Sequence, residues 1–176
     1  LDQADDWYRK SLTIKEKLGN RPGMASSYHQ LGIVAQDRGA LDQADDWYRK
    51  SLTIFEELGN RPGMARSYHQ LGIVAYLRGD LDQADGWYRK SLAIKEELGS
   101  IGQGVTLALR GLLAEEQDRI NEAFGYAIRA VALFEEFPHR SSGSAPAQLA
   151  RLTSQHGDTA LRDAWTATTG NQIPAD

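Results

Sequence analysis

With 176 residues, 41% of them hydrophobic and 25% charged, the chain is long enough for one globular domain or a short repeat array. A net charge of −4 argues against the basic footprint that nucleic-acid phosphates or an anionic membrane surface demand, and no stretch approaches the roughly 20 apolar residues that span a bilayer. Cysteine is absent, which removes disulfides, thiolate metal sites and a cysteine nucleophile and is compatible with a cytoplasmic protein.

Residues 1–40 laid over 41–80 give 34 identities in 40; the differences are Lys15/Phe55, Lys17/Glu57, Ser26/Arg66, Gln36/Tyr76, Asp37/Leu77 and Ala40/Asp80. Residues 81–99 match 41–59 at 16 of 19 positions. Beyond this the copy decays but keeps phase: Gly32, Ala35 and Leu41 fall on Gly111, Ala114 and Ile120, and Ala84 and Leu92 on Ala123 and Val131. A period of this length marks an array in which no unit buries its apolar face alone.

Within one period, Leu41, Ala44, Trp47, Tyr48, Ser51, Leu52, Phe55 and Leu58 step by three and four, which is one face of a helix. Gly59 stops it, and Asn60-Arg61-Pro62-Gly63 reads as a turn with Pro62 at a helix start. A second helix carries Ala65, Tyr68, Leu71, Gly72 and Ala75; Gly79 ends it and Asp80 caps the next. Gly32, Gly72 and Gly111 sit mid-helix, where glycine costs up to about 1 kcal/mol relative to alanine. Close approach of two helices is the expected reason, with Gly72 placed against Ala84.

Phe137 to Pro146 reads as a loop, followed by two short helices: one from Pro146 with Leu149 and Leu152, one from Asp158 with Leu161, Ala164 and Trp165, ending at Thr169-Gly170. The expectation is helices near 1–18, 22–38, 41–58, 62–78, 81–98, 103–117, 120–137, 146–155 and 158–168, with no strand. The domains are a repeat array over 1–137, a loop over 138–145 and capping helices with a tail over 146–176.

Tyr28-x-x-Leu31-Gly32-x-x-Ala35, then Gly39, Ala44, Tyr48 and Ser51-Leu52, resemble the tetratricopeptide repeat pattern. The 40-residue period is similar to the longer subclass found in kinesin light chain, LGN-type polarity adaptors and many bacterial regulators. The third copy departs from the pattern, with Arg110 where Leu31 and Leu71 stand. The resemblance implies an all-α α-solenoid, a right-handed superhelix of antiparallel helix pairs closed by a C-terminal helical cap. It implies a non-enzymatic scaffold that holds a protein or peptide and needs no cofactor. An alternative is a sensor or regulatory segment of a larger bacterial signalling or transcriptional regulator linked to an NTPase. The chain opens inside a repeat, so it is expected to be a fragment of a longer protein.

In that family the first helix of each unit lines a concave groove. The corresponding positions here are Ser26, His29, Ile33, Gln36 and Asp37 in the first unit. They are Arg66, His69, Ile73, Tyr76 and Leu77 in the second, and Val105, Ala108, Leu112, Glu115 and Glu116 in the third. Three of the six differences between the first two copies fall on these positions, a pattern that drift of surface residues and selection for a ligand both produce. Five of the six read as lying in or near exposed helix faces.

Other conspicuous residues have simpler readings. His29 and His69 recur at one period and could stack across neighbouring first helices, but too few ligands surround them for a metal. Trp7, Trp47 and Trp87, with the tyrosines that follow them, read as core between units. Arg49-Lys50 and Arg89-Lys90 read as solvated faces offset by Glu56-Glu57 and Glu96-Glu97. No phosphate-binding loop, H-E-x-x-H motif or Ser/His/Asp partnership is present. Residues 1–18 lack a first helix of their own, so their apolar side, with Leu1, Ala4, Tyr8 and Leu12, is expected to self-associate, the competing reading being that this edge frays.

Overall fold

The computed structural model describes residues 1–99, 102–136 and 144–173. Among these, eight α-helices and no strand are found: α1 (Asp2–Lys17), α2 (Arg21–Asp37), α3 (Leu41–Glu57), α4 (Arg61–Leu77), α5 (Leu81–Glu97), α6 (Gln103–Glu116), α7 (Ile120–Glu136) and α8 (Ser144–Thr169). The all-α repeat architecture is as the period requires, and the ends of the repeat helices agree with the sequence reading to within two residues. The expected loop after Phe137 falls mostly outside the described residues. Its last positions are helical, since α8 already begins at Ser144 and Ala145 is fully buried. The two expected C-terminal helices meet at Gly157 within α8, where a φ of 86° and a ψ of 165° break the helical path between them.

Turn chemistry sets the hairpins. Gly19, Gly39, Gly59 and Gly79 follow successive helices with φ between 62° and 79°, the left-handed conformation that glycine adopts without a Cβ penalty. Asp118 takes the same role in the third copy at φ 58°. Asn60 is not part of a free turn, as its neighbours suggest. It is the N-cap of α4, accepting from Gly63 N at 2.9 Å, with a proline in the first turn where no donor is needed; Asn20 does the same for α2. Asp80 accepts from Gln83 N at 3.1 Å, a cap that Ala40 cannot supply.

The chain divides into two compact units, Leu1–Ile94 and Lys95–Asp176. In the first, α1 packs on α2, α2 on α3 and α3 on α4. The core between them holds Ala35, Ala44, Tyr48, Leu52, Leu71 and Val74. The mid-helix glycines face aromatic rings here, which corrects the expected Gly72–Ala84 approach. A Cβ on Gly32 would lie 2.5 Å from the Tyr48 ring, and one on Gly72 would lie 2.5 Å from Tyr88. Both tyrosine side chains are essentially inaccessible. Small hydroxyls fill the next layer: Ser51 donates to the carbonyl of Ala25 at 2.9 Å, and Ser91 to that of Ala65 at 2.8 Å.

In the second unit α6 packs on α7, and α8 on both. The core is Ala114, Ala123, Phe124, Ala127, Ile128, Leu152 and Ala164. Gly111 keeps its place in the repeat, but Ala127 stands where Tyr88 would, and Gln148 from α8 takes the vacated position at Gly111. Arg151 of α8 adds a bidentate pair to Glu115, 2.6 and 3.2 Å.

Two mutants test this layout. Gly72→Leu should lower stability by about 1–3 kcal/mol, because a buried ring on a packed helix cannot retreat far. Asn60→Ala should cost about 1 kcal/mol through the lost cap. Urea titration should show both shifts, with Ser26→Ala close to wild type as the exposed reference.

Candidate functional site

The sequence places five groove positions on each first helix, and in the first unit the structure brings two such sets together on α2 and α4. Ser26, Asp37, Arg66 and Leu77 are exposed; His29, Ile33, Gln36, His69, Ile73 and Tyr76 are half-buried. Leu77 is 52% exposed, which is high for an aliphatic side chain. The positions between them on the same helices, Ala25, Leu31, Val34 and Ala35 and their repeats in α4, are buried, so the face is set by helical period.

The two histidines have equivalent tyrosine neighbours. Each tilts against the tyrosine of its own hairpin, His29 on Tyr48 at 5.3 Å and His69 on Tyr88 at 5.8 Å. Burial, with a smaller contribution from the Arg66 guanidinium, lowers the His29 pKa to about 4. Its Nδ1 is buried without a partner. His29 is thus a neutral floor of the face. Among the described residues no group of three or more His, Asp or Glu side chains is arranged to hold a metal ion.

Beneath the face, the Tyr48 hydroxyl donates to Gln36 Oε1 at 3.1 Å and accepts from Gln70 Nε2 at 3.0 Å, so one hydroxyl joins α2, α3 and α4. Burial, its largest influence, raises the Tyr48 pKa to about 12. The copy of this arrangement at Tyr88 is different. Tyr76 replaces Gln36, and the Tyr88 hydroxyl is buried with no hydrogen-bond partner. A buried unsatisfied polar group costs roughly 1–3 kcal/mol.

In the second unit the predicted wall is less open. Val105 and Leu112 are half-buried and Glu116 is exposed, but Ala108 is only 5% exposed. Ala108, in place of the longer His69, is too short to rise above its neighbours, and Glu115 is engaged by Arg151. Neither serves as an open groove position.

Position 15/55/95 lies on the apolar face where the helical spacing puts Phe55: Phe55 is 2% and Lys95 9% exposed. Phe55 fits because Gly63 leaves room for its ring, while Lys15 donates to Ser27 Oγ at 2.8 Å and Lys95 to Thr106 Oγ1 at 2.6 Å. Burial lowers the Lys95 pKa to about 8. The alternation of lysine and phenylalanine at one repeat position is the signal for this in the sequence.

The basic pairs are also more than solvated. Arg49 pairs with Asp45 at 2.5 Å and lies over the Trp87 ring at 5.4 Å, while Lys50 lies over Trp47 at 4.4 Å. Arg9 lies over Trp47 at 5.5 Å, and Lys90 over Trp87 at 4.5 Å. The tryptophans are accordingly not uniform core. Trp47 and Trp87 stack on Tyr28 and Tyr68 at 5.6 and 5.7 Å, whereas Trp7 is 66% exposed.

Residues 1–57 and 23–97 match the model of the tetratricopeptide repeat, more than half of the chain. The chain belongs to the tetratricopeptide repeat family. No curated protein matches it. Among solved structures it is similar to BtubC (BKLC) from P. vanneervenii, at 17% identity and a TM-score of 0.79 over 99% of this chain and 76% of that one. It is also similar to the nearly identical TPR-like repeats of a candidate kinesin light chain from Podosopora anserina. That structure gives 16% identity and a TM-score of 0.71 over 97% of this chain and 89% of that one. At these identities the likeness concerns the fold, which is that of tetratricopeptide arrays. Tetratricopeptide repeats serve in general as scaffolds that bind proteins or peptides, and neither the family nor these neighbours indicate a catalytic role. Among the described residues, no helix is long and apolar enough to cross a membrane.

The His29 environment gives a pH prediction. Its folded pKa, about 4, lies below the ordinary 6.5, so between these values the unfolded chain binds more protons. His29 should therefore add stability that is fully present above about pH 6.5 and is lost as the pH falls towards 4. Urea midpoints at pH 7 and pH 4.5 should converge in His29→Gln relative to wild type.

Proposed function

We propose that this tetratricopeptide segment is a cytoplasmic scaffold that holds a peptide or protein segment on the face formed by α2 and α4. The strongest contacts are assigned to the second wall, Arg66, His69, Ile73, Tyr76 and Leu77. One observation carries this reading. Between two otherwise near-identical copies, Gln36-Asp37 becomes Tyr76-Leu77, which puts a tyrosine and a half-exposed leucine on the second wall, and the acceptor that Gln36 gives Tyr48 has no counterpart at the buried Tyr88 hydroxyl. An apolar side chain exposed in only one of two near-identical copies is a pattern expected where a surface serves binding. Tyrosine is also favoured as an anchor at interfaces. Arg66 has a structural reason of its own, since its guanidinium lies 5.9 Å from the Phe55 ring, so Tyr76 and Leu77 bear the argument.

The test is the double substitution Tyr76→Gln with Leu77→Asp, which rewrites the second wall as the first. The introduced glutamine should restore an acceptor for the Tyr88 hydroxyl, so the variant should melt at the same temperature or higher. Peptides selected from a display library on the wild-type chain should bind the variant at least about tenfold more weakly, the loss of one hot-spot contact. Undiminished binding would move the site off this face.

A further inference from the structure

The start of α6 is built differently from the starts of α2 and α4, and a buried amine makes up the difference. In α2 and α4 an asparagine side chain caps the first turn. The first backbone bonds there, from Met24 N to Asn20 O and from Met64 N to Asn60 O, are 2.9 Å long. The N-cap of α6 is Gly102, which has no side chain to offer, and the matching bond from Thr106 N to Gly102 O is stretched to 3.5 Å. A helix start with neither a side-chain cap nor a short first bond holds its amides weakly.

Lys95, in the last turn of α5, fastens this turn. Its Nζ donates to Thr106 Oγ1 at 2.6 Å and to the Gly102 carbonyl at 3.3 Å. Thr106 Oγ1 donates to the same carbonyl at 3.3 Å, and Gln103 Nε2 returns to the Lys95 carbonyl at 3.1 Å. Gly102 and Thr106 fall on Gly63 and Ser67 of the preceding copy, and Lys95 falls on Phe55, which fits against Gly63. The oxygens that the amine meets, a hydroxyl and a peptide carbonyl, are neutral. The carboxylates that follow it on α5 are Glu96 and Glu97, and Arg129 of α7 holds Glu96 at 2.8 Å. The charged groups of α6 are in its second half: Arg110 over the Tyr126 ring, Glu115 paired with Arg151, and Glu116. A buried ammonium facing neutral oxygens is disfavoured against the neutral amine, whose two N–H groups serve the same two acceptors with no charge to desolvate.

We infer that Lys95 is a proton-sensitive latch, whose amine holds the first turn of α6 most firmly when neutral and lets it open more readily when charged. The turn carries Val105, a wall position of the second unit, so the latch governs how firmly that position is presented. The α2–α4 face takes no part in it, and either assignment can fail without the other. Burial lowers the Lys95 pKa to about 8, below the ordinary 10.5 of a solvated amine. Between these values the opened turn binds more protons, so the closed turn gains stability as the pH rises. From pH 7 to pH 9 the closing equilibrium should shift by about tenfold.

The test is amide hydrogen exchange of the full chain at pH 7 and pH 9, each rate divided by that of an unstructured peptide at the same pH. Protection of the amides from Gln103 to Leu107 should rise about tenfold between the two, relative to the amides of α3, which report opening of the whole chain. Lys95→Met, which cannot titrate, should abolish the rise. Lys95→Arg keeps a donor but cannot lose its charge, and should abolish it too. Circular dichroism checks that both variants keep their helix content, and either one alone suffices for the comparison. Equal protection of the wild-type turn at the two pH values would overturn the inference, and so would an undiminished rise in a folded variant.

Discussion

The contact between a mid-helix glycine and a tyrosine ring is the constraint on which the first unit depends. Glycine in a helix interior costs about 1 kcal/mol, and Gly32 and Gly72 each bear that cost. In return a whole phenol ring lies against the bare backbone of the neighbouring helix and is removed from water. The gain is not only apolar. At Tyr48 the ring carries its hydroxyl to a point where α2 and α4 both supply glutamine, so the same side chain that sets the hairpin also ties it to the next one. In the second unit the glycine survives and the tyrosine does not; a glutamine from α8 fills the place instead. The helix spacing is thus kept by shape complementarity at one residue, and the partner that supplies the volume can change.

A second set of contacts explains why the surface of the repeat is copied as closely as its core. Asp5 and Asp45 hold Arg9 and Arg49 over Trp47 and Trp87 of the equivalent helix one repeat further on. Arg38 and Arg78 return from the intervening helices to Asp2 and Asp42 at 2.6 Å. Each such exposed pair is worth roughly 0–1 kcal/mol, and each cation over an indole about as much. Their value lies in repetition, because every link joins one hairpin to the next in the same register. Residues that look like a solvated charged stripe in one dimension become connectors once the 40-residue step brings them beside the next tryptophan.

Period, glycine stops and apolar spacing are enough to read the helices and their pairing from the sequence. Each is a local rule with a local cause, and the helix ends in the structure follow them. What one dimension does not reveal is which of two neighbours a side chain faces. Size alone matches Gly72 to Ala84, yet the space is taken by Tyr88, one helical turn further along α5. Lysine is mostly exposed in proteins, and only the fold shows that Lys15 and Lys95 meet the Ser27 and Thr106 hydroxyls. The groove positions on α2 and α4 are legible from helical period. Those on α6 are not fully so, because the engagement of Glu115 depends on α8, a segment outside the repeat.

The differences between copies can be sorted by whether the structure compensates them. Asp80 in place of Ala40 gains a cap at Gln83. Phe55 in place of Lys15 gains a fit against Gly63, and Arg66 in place of Ser26 lies over that same ring. These are changes that the fold explains. Tyr76-Leu77 is of another kind. It exposes half of a leucine where the first copy has an aspartate, beside a buried Tyr88 hydroxyl that has no hydrogen-bond partner. In an array where 34 of 40 positions repeat, a substitution that worsens local satisfaction stands out against its own unmodified copy. The internal copy therefore serves as the control that a single sequence normally lacks. It separates residues kept for stacking one hairpin on the next from residues whose reason lies outside the stack.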